Sequence, residues 1–331
     1  MNPANASELS VVKEAGKKTE SRLAYNWRLY KKNKYLFLLL APVLIWYAVF
    51  HYGPMYGIQL AFKDFYIMKG IWDSPWVGFK HFHYLFFMSP DFWKIMKNTL
   101  VISFYHIVIG FPAPIILALL FNELRFSLFK KVAQTISYLP HFLSWIVLGG
   151  IMITLLSPNS GVVNYFIQML GFEPIYFLGN ESWFRFTLVT SAIWKEVGWG
   201  MIIYLAALAG VDQQLYEAAV IDGANRWKQT LHITLPSILP VITILLILRV
   251  GHILDGGFDQ ILTLYSPATY GVADILDTYV YRLQRACVLL KHTHHPITKI
   301  SYDCGFNDSN YFTRQFSKTL GISPKAYRLN R

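Results

Sequence analysis

The chain has 331 residues, of which 54% are hydrophobic and only 15% are charged. Because a soluble domain usually carries about 25% charged residues, this composition excludes most soluble proteins and predicts a membrane protein. The net charge of +11 is uneven, since the last fifty residues, from Arg282 onward, hold nine Lys and Arg residues against two Asp residues. The basic tail therefore indicates a part of different origin from the apolar body.

The N-terminal segment, residues 1–34, is polar up to about Asn26 and basic after it. The apolar run Tyr35–Phe50 follows directly and continues past His51. A signal peptide would have a shorter apolar region and a cleavage site with small residues. The pattern therefore predicts a cytoplasmic basic segment followed by an uncleaved first span.

Five segments are long and apolar enough to cross a membrane, for which about twenty residues are needed. They are about Leu36–Ile58, Asn98–Phe121, Ile136–Leu156, Phe184–Ala209 and Leu235–Leu254. Gly110 and Pro112 predict a kink or break in the second, which only a packed bundle would tolerate. The sequence thus predicts an all-α, polytopic membrane helix bundle of about five spans.

Orientation follows from the bias of Lys and Arg toward cytoplasmic flanks. The basic N-terminus predicts a cytoplasmic start, and the connection after the second span agrees because it holds Arg125, Lys130 and Lys131. The connection Ser157–Trp183 has no Lys or Arg and is predicted to lie outside. Alternation then places the connection Gly210–Thr234 in the cytoplasm.

That cytoplasmic connection has clear helix signals. Asp212 is placed to cap a short helix that ends at Asp222, and Gly223 is placed to take a left-handed conformation after it. A second helix is predicted from Asn225 to the next span near Pro236. By itself this pattern also fits a short amphipathic connector between two spans.

The same connection resembles the EAA loop, the ATPase-docking signature of ABC importer permeases. The residues that carry the resemblance are Glu217, Ala218, Ala219, Asp222, Gly223, Ala224, Pro236 and Pro240. Residues 34–281 also resemble the oligosaccharide and polysaccharide permeases, the subgroup with alginate-type and LplB-like subunits. Supporting stretches are Ala61–Phe65, Tyr138–Trp145 and Phe258–Gln260.

The resemblance implies a type I importer permease domain at residues 35–281. It implies a chain that crosses the plasma (inner) membrane several times and contacts membrane lipid. It also implies a heterodimer with a second permease subunit, two ATPase subunits, an extracytoplasmic solute-binding protein and an oligosaccharide substrate. ATP and Mg would bind the ATPase subunits. The sequence itself has no catalytic constellation, phosphate-binding loop or metal cluster, so we expect no enzyme activity and no cofactor in this chain.

Charged and aromatic residues within the spans are candidates for the translocation pathway, because intramembrane charges usually face a bundle interior or a water-filled path. The candidates are Trp194, Lys195, Glu196, Trp199, Arg249 and His252. A structural ion pair is the alternative for Lys195 and Glu196. For Arg249, pairing with Asp255 or Asp259 is favoured over binding an acidic sugar, and His106 is interpreted as a packing histidine.

The tail, residues 282–331, resembles the C-terminal half of the AraC-type DNA-binding domain. A helix over Ile297–Cys304, a turn at Gly305 and a helix over Ser309–Leu320, capped by Asp308 or Ser309, would form a helix-turn-helix. Candidate DNA contacts are Asn310, Thr313, Arg314, Gln315 and Lys318. The resemblance implies two such units, and the tail corresponds only to the second of them. Five spans with a cytoplasmic start would also place the tail outside the cell, away from DNA. Both points argue against DNA as a partner.

Two alternatives to a transport subunit remain from the sequence. One is a membrane-tethered AraC-like regulator, and the other is an inactive gene-fusion product. The importer resemblance implies a sixth span after about Tyr281, where no apolar run is long enough to supply one. We therefore expect the tail to share few apolar contacts with the membrane helices.

Overall fold

A computed structural model of the protein describes residues 22–66, 69–89, 91–306 and 308–329. These residues are almost entirely helical, and the single β-bridge among them joins Lys63 and Trp76. The predicted all-α class is confirmed. Most of the predicted basic N-terminal segment lies outside the described residues.

The described residues up to Ser89 form one compact unit. It contains helix α1 (Arg22–Lys32), helix α2 (Lys34–Phe62) and short helices at Gly70–Asp73 and Lys80–His83. No side chain of α2 is buried within this unit. A helix that is apolar all round suits lipid or partner helices on every side.

The second unit runs from Pro90 to Arg331. Its membrane-type helices and connectors are α3 (Phe92–Glu123), α4 (Ser127–Phe142), α5 (Trp145–Leu155), α6 (Val162–Met169), α7 (Glu181–Ala209), α8 (Gln213–Ile221), α9 (Arg226–Gly251), α10 (Phe258–Leu264) and α11 (Tyr270–Ala273). The remaining helices are α12 (Leu276–His292), α13 (Ile297–Asp303), α14 (Ser309–Leu320) and α15 (Pro324–Leu329).

By length and composition, α2, α3, α7 and α9 can each cross a membrane. Helices α4 and α5 meet at an angle of 106° and make a fifth crossing if the pair is one broken span. Ser144 explains why the second half starts there, because its hydroxyl accepts a hydrogen bond from Val147 N and caps α5. The predicted number of about five spans agrees with this arrangement.

Of the kink or break predicted in the second span, the break does not occur. Helix α3 continues from Phe92 to Glu123 through a π-helical turn at His106–Gly110. In that turn Phe111 N donates to His106 O at 2.9 Å, so the hydrogen-bond ladder widens just before Pro112. A wide turn of this kind accommodates proline without ending the helix.

Two hydrophobic clusters hold the membrane helices of this unit together. One includes Ile102, Phe184 and Ile261, and the other includes Ala118 and Met201. Helix α7 contributes to both clusters and is therefore the central element of the unit. The rotation of α7 about its own axis determines which of its side chains face the interior of the unit.

Helices α4 and α7 cross closely at Gly198. A Cβ atom at Gly198 would overlap the backbone of Ser137, whereas a Cβ atom at Gly150, also a helical glycine, would meet open space. We expect Gly198→Ala to destabilise the protein by about 1–3 kcal/mol, the usual cost of overpacking. The matched control Gly150→Ala should unfold at or slightly above the wild-type temperature, since alanine favours helices. Equal thermal unfolding of both variants in detergent would contradict the close crossing.

Candidate translocation cavity, coupling loop and C-terminal tail

A cavity of the second unit, the candidate translocation cavity, has a volume of about 1150 Å³ and lies among α3, α5, α7, α9, α10 and α12. Both polar and aromatic side chains line it, as in sites for organic solutes. The polar and aromatic lining residues include His106, Trp145, Glu196, Trp199, Tyr204, Arg249, His252, Asp255, Asp259, Gln260, Asp277, Tyr281 and Gln284. Four predicted pathway residues, namely Glu196, Trp199, Arg249 and His252, are therefore brought together.

Trp194 and Lys195 are the two predicted pathway residues that do not line this cavity. The cavity-facing stripe of α7 recurs every three or four residues, at Ile193, Glu196 and Gly200, as helical geometry requires. Lys195 is rotated out of that stripe. Its Nζ donates to the main-chain oxygen of His141 at 2.6 Å and lies 5.8 Å from the centre of the Trp145 ring.

His141 contacts both of the predicted pathway residues of α7 that line the cavity, Glu196 and Trp199. Its Nδ1 lies 2.8 Å from Glu196 Oε2, and its ring stacks parallel to Trp199 at 4.5 Å. Lys195 Nζ lies 3.4 Å from the other Glu196 oxygen. The Glu196 carboxylate thus contacts both the His141 imidazole and the Lys195 ammonium, and the same imidazole stacks on the Trp199 indole.

Arg249 was expected to pair with Asp255 or Asp259, and this expectation is wrong. Its Nη2 instead donates to His106 Nδ1 at 3.1 Å, and no carboxylate of the described residues forms an ion pair with it. Asp255 turns toward the backbone of its own loop, where Oδ1 accepts from Gly257 N at 3.3 Å. His106 is buried, as a packing histidine would be, and it also lines the cavity.

The structure confirms the predicted local features of the connection Gly210–Thr234, which is called the coupling loop below after the role that its resemblance to the EAA loop implies. Asp212 Oδ1 accepts from Gln214 N at 2.9 Å and caps α8, and Gly223 has a left-handed φ of +77°. Asn225 caps α9 by accepting from Lys228 N at 2.9 Å. The second helix does not stop at Pro236 but continues as the next span, through a π-helical turn at Thr230–Thr234.

The signature residues lie on the surface of the loop. Glu217, Ala218, Asp222, Gly223 and Pro236 are exposed, and Ala219 and Ala224 are half-buried. Apolar neighbours are exposed with them, including Ile221 at 86% and Trp227 at 70%. An exposed apolar patch rimmed by charged residues is typical of a protein-binding surface.

The tail contains the predicted helix-turn-helix. Asp308 Oδ1 accepts from Asn310 N at 2.8 Å and caps α14, and Gly305 and Gly321 both have left-handed φ values. The tail has a hydrophobic core of its own, which includes Leu290 and Phe312. Among the described residues, no side chain of a candidate span belongs to this core.

The candidate DNA-contacting residues differ in exposure. Asn310, Arg314 and Lys318 are exposed, and Thr313 is half-buried with its hydroxyl donating to Ser309 O. Gln315 is only 4% exposed and therefore cannot reach a DNA groove. It is buried because it lies on the same face of α14 as Phe312 and Phe316, toward the core of the tail.

An ion pair that was not predicted from the sequence joins the tail to the membrane part of the second unit, which is the described part of the unit before residue 282. Arg282 Nη2 donates to Asp274 Oδ2, and both side chains are buried. Arg282 Nη1 also donates to Gly305 O in the helix-turn-helix at 2.9 Å, and its guanidinium lies 4.7 Å from the Tyr270 ring. One side chain therefore contacts both parts.

The ion pair is connected to the spans by further hydrogen bonds. Asn98 of α3 donates from Nδ2 to the main-chain oxygens of Gly271 and Asp274, at 3.1 and 3.2 Å. Arg185 of α7 donates from Nη2 to Asn98 Oδ1 at 2.8 Å. A continuous polar network thus runs from two spans to the helix-turn-helix.

The apolar helices, the central cavity and the exposed connector define a multi-pass membrane protein of the permease type. The family described as "Binding-protein-dependent transport system inner membrane component" matches residues 110–289, and a helix-turn-helix domain matches residues 278–330. The chain belongs to the first of these families, whose members are transporter components and not enzymes. The two matches overlap within α12, which is one continuous helix.

Characterised relatives agree with this assignment. Protein LplB of Bacillus subtilis is 47% identical over 253 residues, which is 76% of this chain and 79% of that protein. The polygalacturonan/rhamnogalacturonan transport system permease protein YteP of Bacillus subtilis is 48% identical, over 76% of this chain and 78% of that protein. A crystal structure of a bacterial ABC transporter that imports the acidic polysaccharide alginate matches with a TM-score of 0.70 and 39% identity, over 92% of this chain and 99% of that chain.

Proposed function

We propose that this chain is a permease subunit of an ABC importer that carries oligosaccharides or polysaccharide fragments across the plasma membrane. The observation that carries the proposal is the cavity of about 1150 Å³ with Glu196, Trp199 and Arg249 in its wall. Names of the relatives support a saccharide substrate, since YteP is described as a polygalacturonan/rhamnogalacturonan permease. In this function the chain binds no cofactor itself.

The proposal includes partner proteins. The exposed coupling loop is suited to dock ATPase subunits, which would bind ATP and Mg, and the unburied α2 is suited to contact a second permease subunit. A solved relative of this chain is an alginate transporter in complex with a pentasaccharide-bound periplasmic protein. We therefore propose a heterodimer of permeases with two ATPase subunits and an extracytoplasmic solute-binding protein.

Trp199 gives a sharp test, because a neighbouring tryptophan serves as its control. Trp199 lines the cavity and Trp194 does not, although both lie on α7 and are partly exposed. We expect Trp199→Ala to lower uptake of labelled oligosaccharide by roughly tenfold, since aromatic stacking contributes about 0.5–1.5 kcal/mol beyond burial. Trp194→Ala should retain most of the uptake. Equal uptake by both variants would contradict a pathway through this cavity.

Arg249 suggests that the substrate is acidic. Its contact in the structure is the imidazole of His106, so a substrate carboxylate would supply the counter-charge, as arginine commonly does for carboxylates. We expect Arg249→Gln to reduce uptake of oligogalacturonate by roughly tenfold or more, since hydrogen bonds to charged groups contribute about 1.5–3 kcal/mol. Uptake of a neutral oligosaccharide of the same length, if carried, should be unchanged. A parallel loss of both would show that Arg249 acts on folding instead.

DNA binding is not the better proposal for this chain. Gln315 is buried, and Arg314 lies at a cavity that also contains Asp91 and Lys94 from the start of α3. Part of the face that a helix-turn-helix would present to a groove thus lies beside this protein's own residues.

A further inference from the structure

A second cavity lies between the start of α3 and the helix-turn-helix tail. Its volume is about 390 Å³, at the lower end of the range of about 300–1,000 Å³ that is usual for small-molecule sites. It shares no lining residue with the translocation cavity. Its walls come from both parts of the second unit, with Asp91 on one side and Tyr311 of α14 on the other.

Three buried polar atoms at this cavity have no hydrogen-bond partner within the described part of the protein. They are Asp91 Oδ2, Arg282 Nε and Tyr311 OH. Arg282 is only 7% exposed, and its other two nitrogens are engaged by Asp274 and Gly305. Buried polar atoms are nearly always paired, so three unpaired ones at a single cavity indicate a ligand with complementary groups.

The charges of the lining residues indicate the class of that ligand. Three cationic side chains (Lys94, Arg282 and Arg314) face three carboxylates (Asp91, Asp274 and Asp308). The site therefore has no net charge and offers no preference to an anion or a cation. The unpaired atoms are an acceptor, a donor and a hydroxyl that can be either, and hydroxyl groups of a ligand can satisfy all three.

We infer that this cavity binds an uncharged, polyhydroxylated solute of about monosaccharide size. The site is separate from the translocation cavity, and the inference does not depend on transport. Because the ligand would contact Asp91 before α3 and Tyr311 in α14 together, its binding would strengthen the attachment of the tail to the membrane part.

The experiment uses the purified full-length chain in lipid nanodiscs and measures saturable binding by ligand-observed NMR. The neutral probes are D-glucose, D-galactose and L-rhamnose, D-galacturonate is the anionic probe, and glycine is the zwitterion. We expect at least one neutral probe to bind saturably. Tyr311→Phe removes one hydroxyl and should weaken binding by roughly two- to tenfold, and Asp91→Asn by roughly tenfold or more, as hydrogen bonds to neutral and charged groups imply.

Two controls locate the site. Tyr302→Phe alters an exposed tyrosine on α13 that does not line the cavity, and Trp199→Ala alters the translocation cavity. Neither should change the affinity for the neutral probe. A loss of binding in Trp199→Ala, with none in Tyr311→Phe and Asp91→Asn, would place the sugar in the translocation cavity and overturn the inference.

Other outcomes are equally decisive. Binding of galacturonate or glycine without any neutral probe would overturn the assignment of ligand class. If no probe binds to a chain whose tail is folded, the cavity holds water only and the inference is wrong. Failure of oligosaccharide uptake would contradict the proposed function but would leave this binding result unaffected, so the two can fail separately.

Discussion

Arg282→Met is expected to destabilise the tail by about 3–5 kcal/mol, the usual consequence of removing one partner of a buried ion pair. The variant leaves Asp274 buried without its cation and removes the donor to Gly305 O. Methionine retains much of the apolar volume of the arginine stem, so the lost interaction is mainly electrostatic. We therefore expect the hydrophobic core of the tail to open more often.

The chain has two cysteines, both packed in the hydrophobic core that the tail forms by itself, so they report opening of that core. Cys304 is buried, and burial raises the pKa of its thiol to about 11. Burial also raises the pKa of the Cys287 thiol. Since the thiolate is the reactive form and Cys304 is buried, both cysteines should react slowly at pH 8 in the folded tail. Mass spectrometry after alkylation should show slow labelling in the wild type and much faster labelling in Arg282→Met.

Two further variants separate the ion pair from a general effect of charge. Arg285→Met removes an exposed arginine one turn further along α12. The charge of Arg285 opposes the effect of burial on the pKa of the Cys304 thiol, so this variant should label no faster than the wild type. The double variant Asp274→Leu with Arg282→Met removes both charges and should recover part of the protection, because apolar residues often replace a buried ion pair well. Slow labelling in Arg282→Met would contradict the expected destabilisation of the tail's core.

Features that depend on nearby residues could be predicted from the sequence. The caps at Asp212 and Asp308 and the left-handed turn at Gly223 follow from a few adjacent residues. The spans follow from the length of their apolar runs. The exception among local features is Gln315, whose burial the spacing from Phe312 could have indicated, since residues three apart share a helix face.

Features that depend on how helices are rotated against one another could not be predicted. Lys195 and Glu196 are adjacent, yet only Glu196 lines the cavity, because the contact of Gly198 with α4 sets the rotation of α7. The network from Arg185 through Asn98 to the loop at Asp274 joins residues 87 and 176 positions apart. No local pattern indicates such contacts, so the attachment of the tail was visible only in the structure.

The other substitution with a large expected effect lies in the coupling loop. Gly223→Val forces a β-branched residue into a left-handed conformation, at a cost of about 1–2 kcal/mol or more. The turn can relieve this strain only by moving α8 relative to α9, which would displace the exposed Ile221 and Trp227 from a docking partner. In cells that hold the partner subunits, we expect uptake to fall by roughly tenfold or more while ATP hydrolysis continues.

A second glycine separates the role of the loop from backbone strain. Gly171 has a φ of +85°, and a Cβ atom at either Gly171 or Gly223 would meet open space. Gly171→Val therefore imposes the same kind of strain, but in the Ser157–Trp183 connection that is predicted to lie outside. If the coupling loop transmits ATP hydrolysis to the cavity, Gly171→Val should transport far better than Gly223→Val at equal membrane abundance. Equal loss in both would mean that strain alone impairs the protein and that the loop has no special part in coupling.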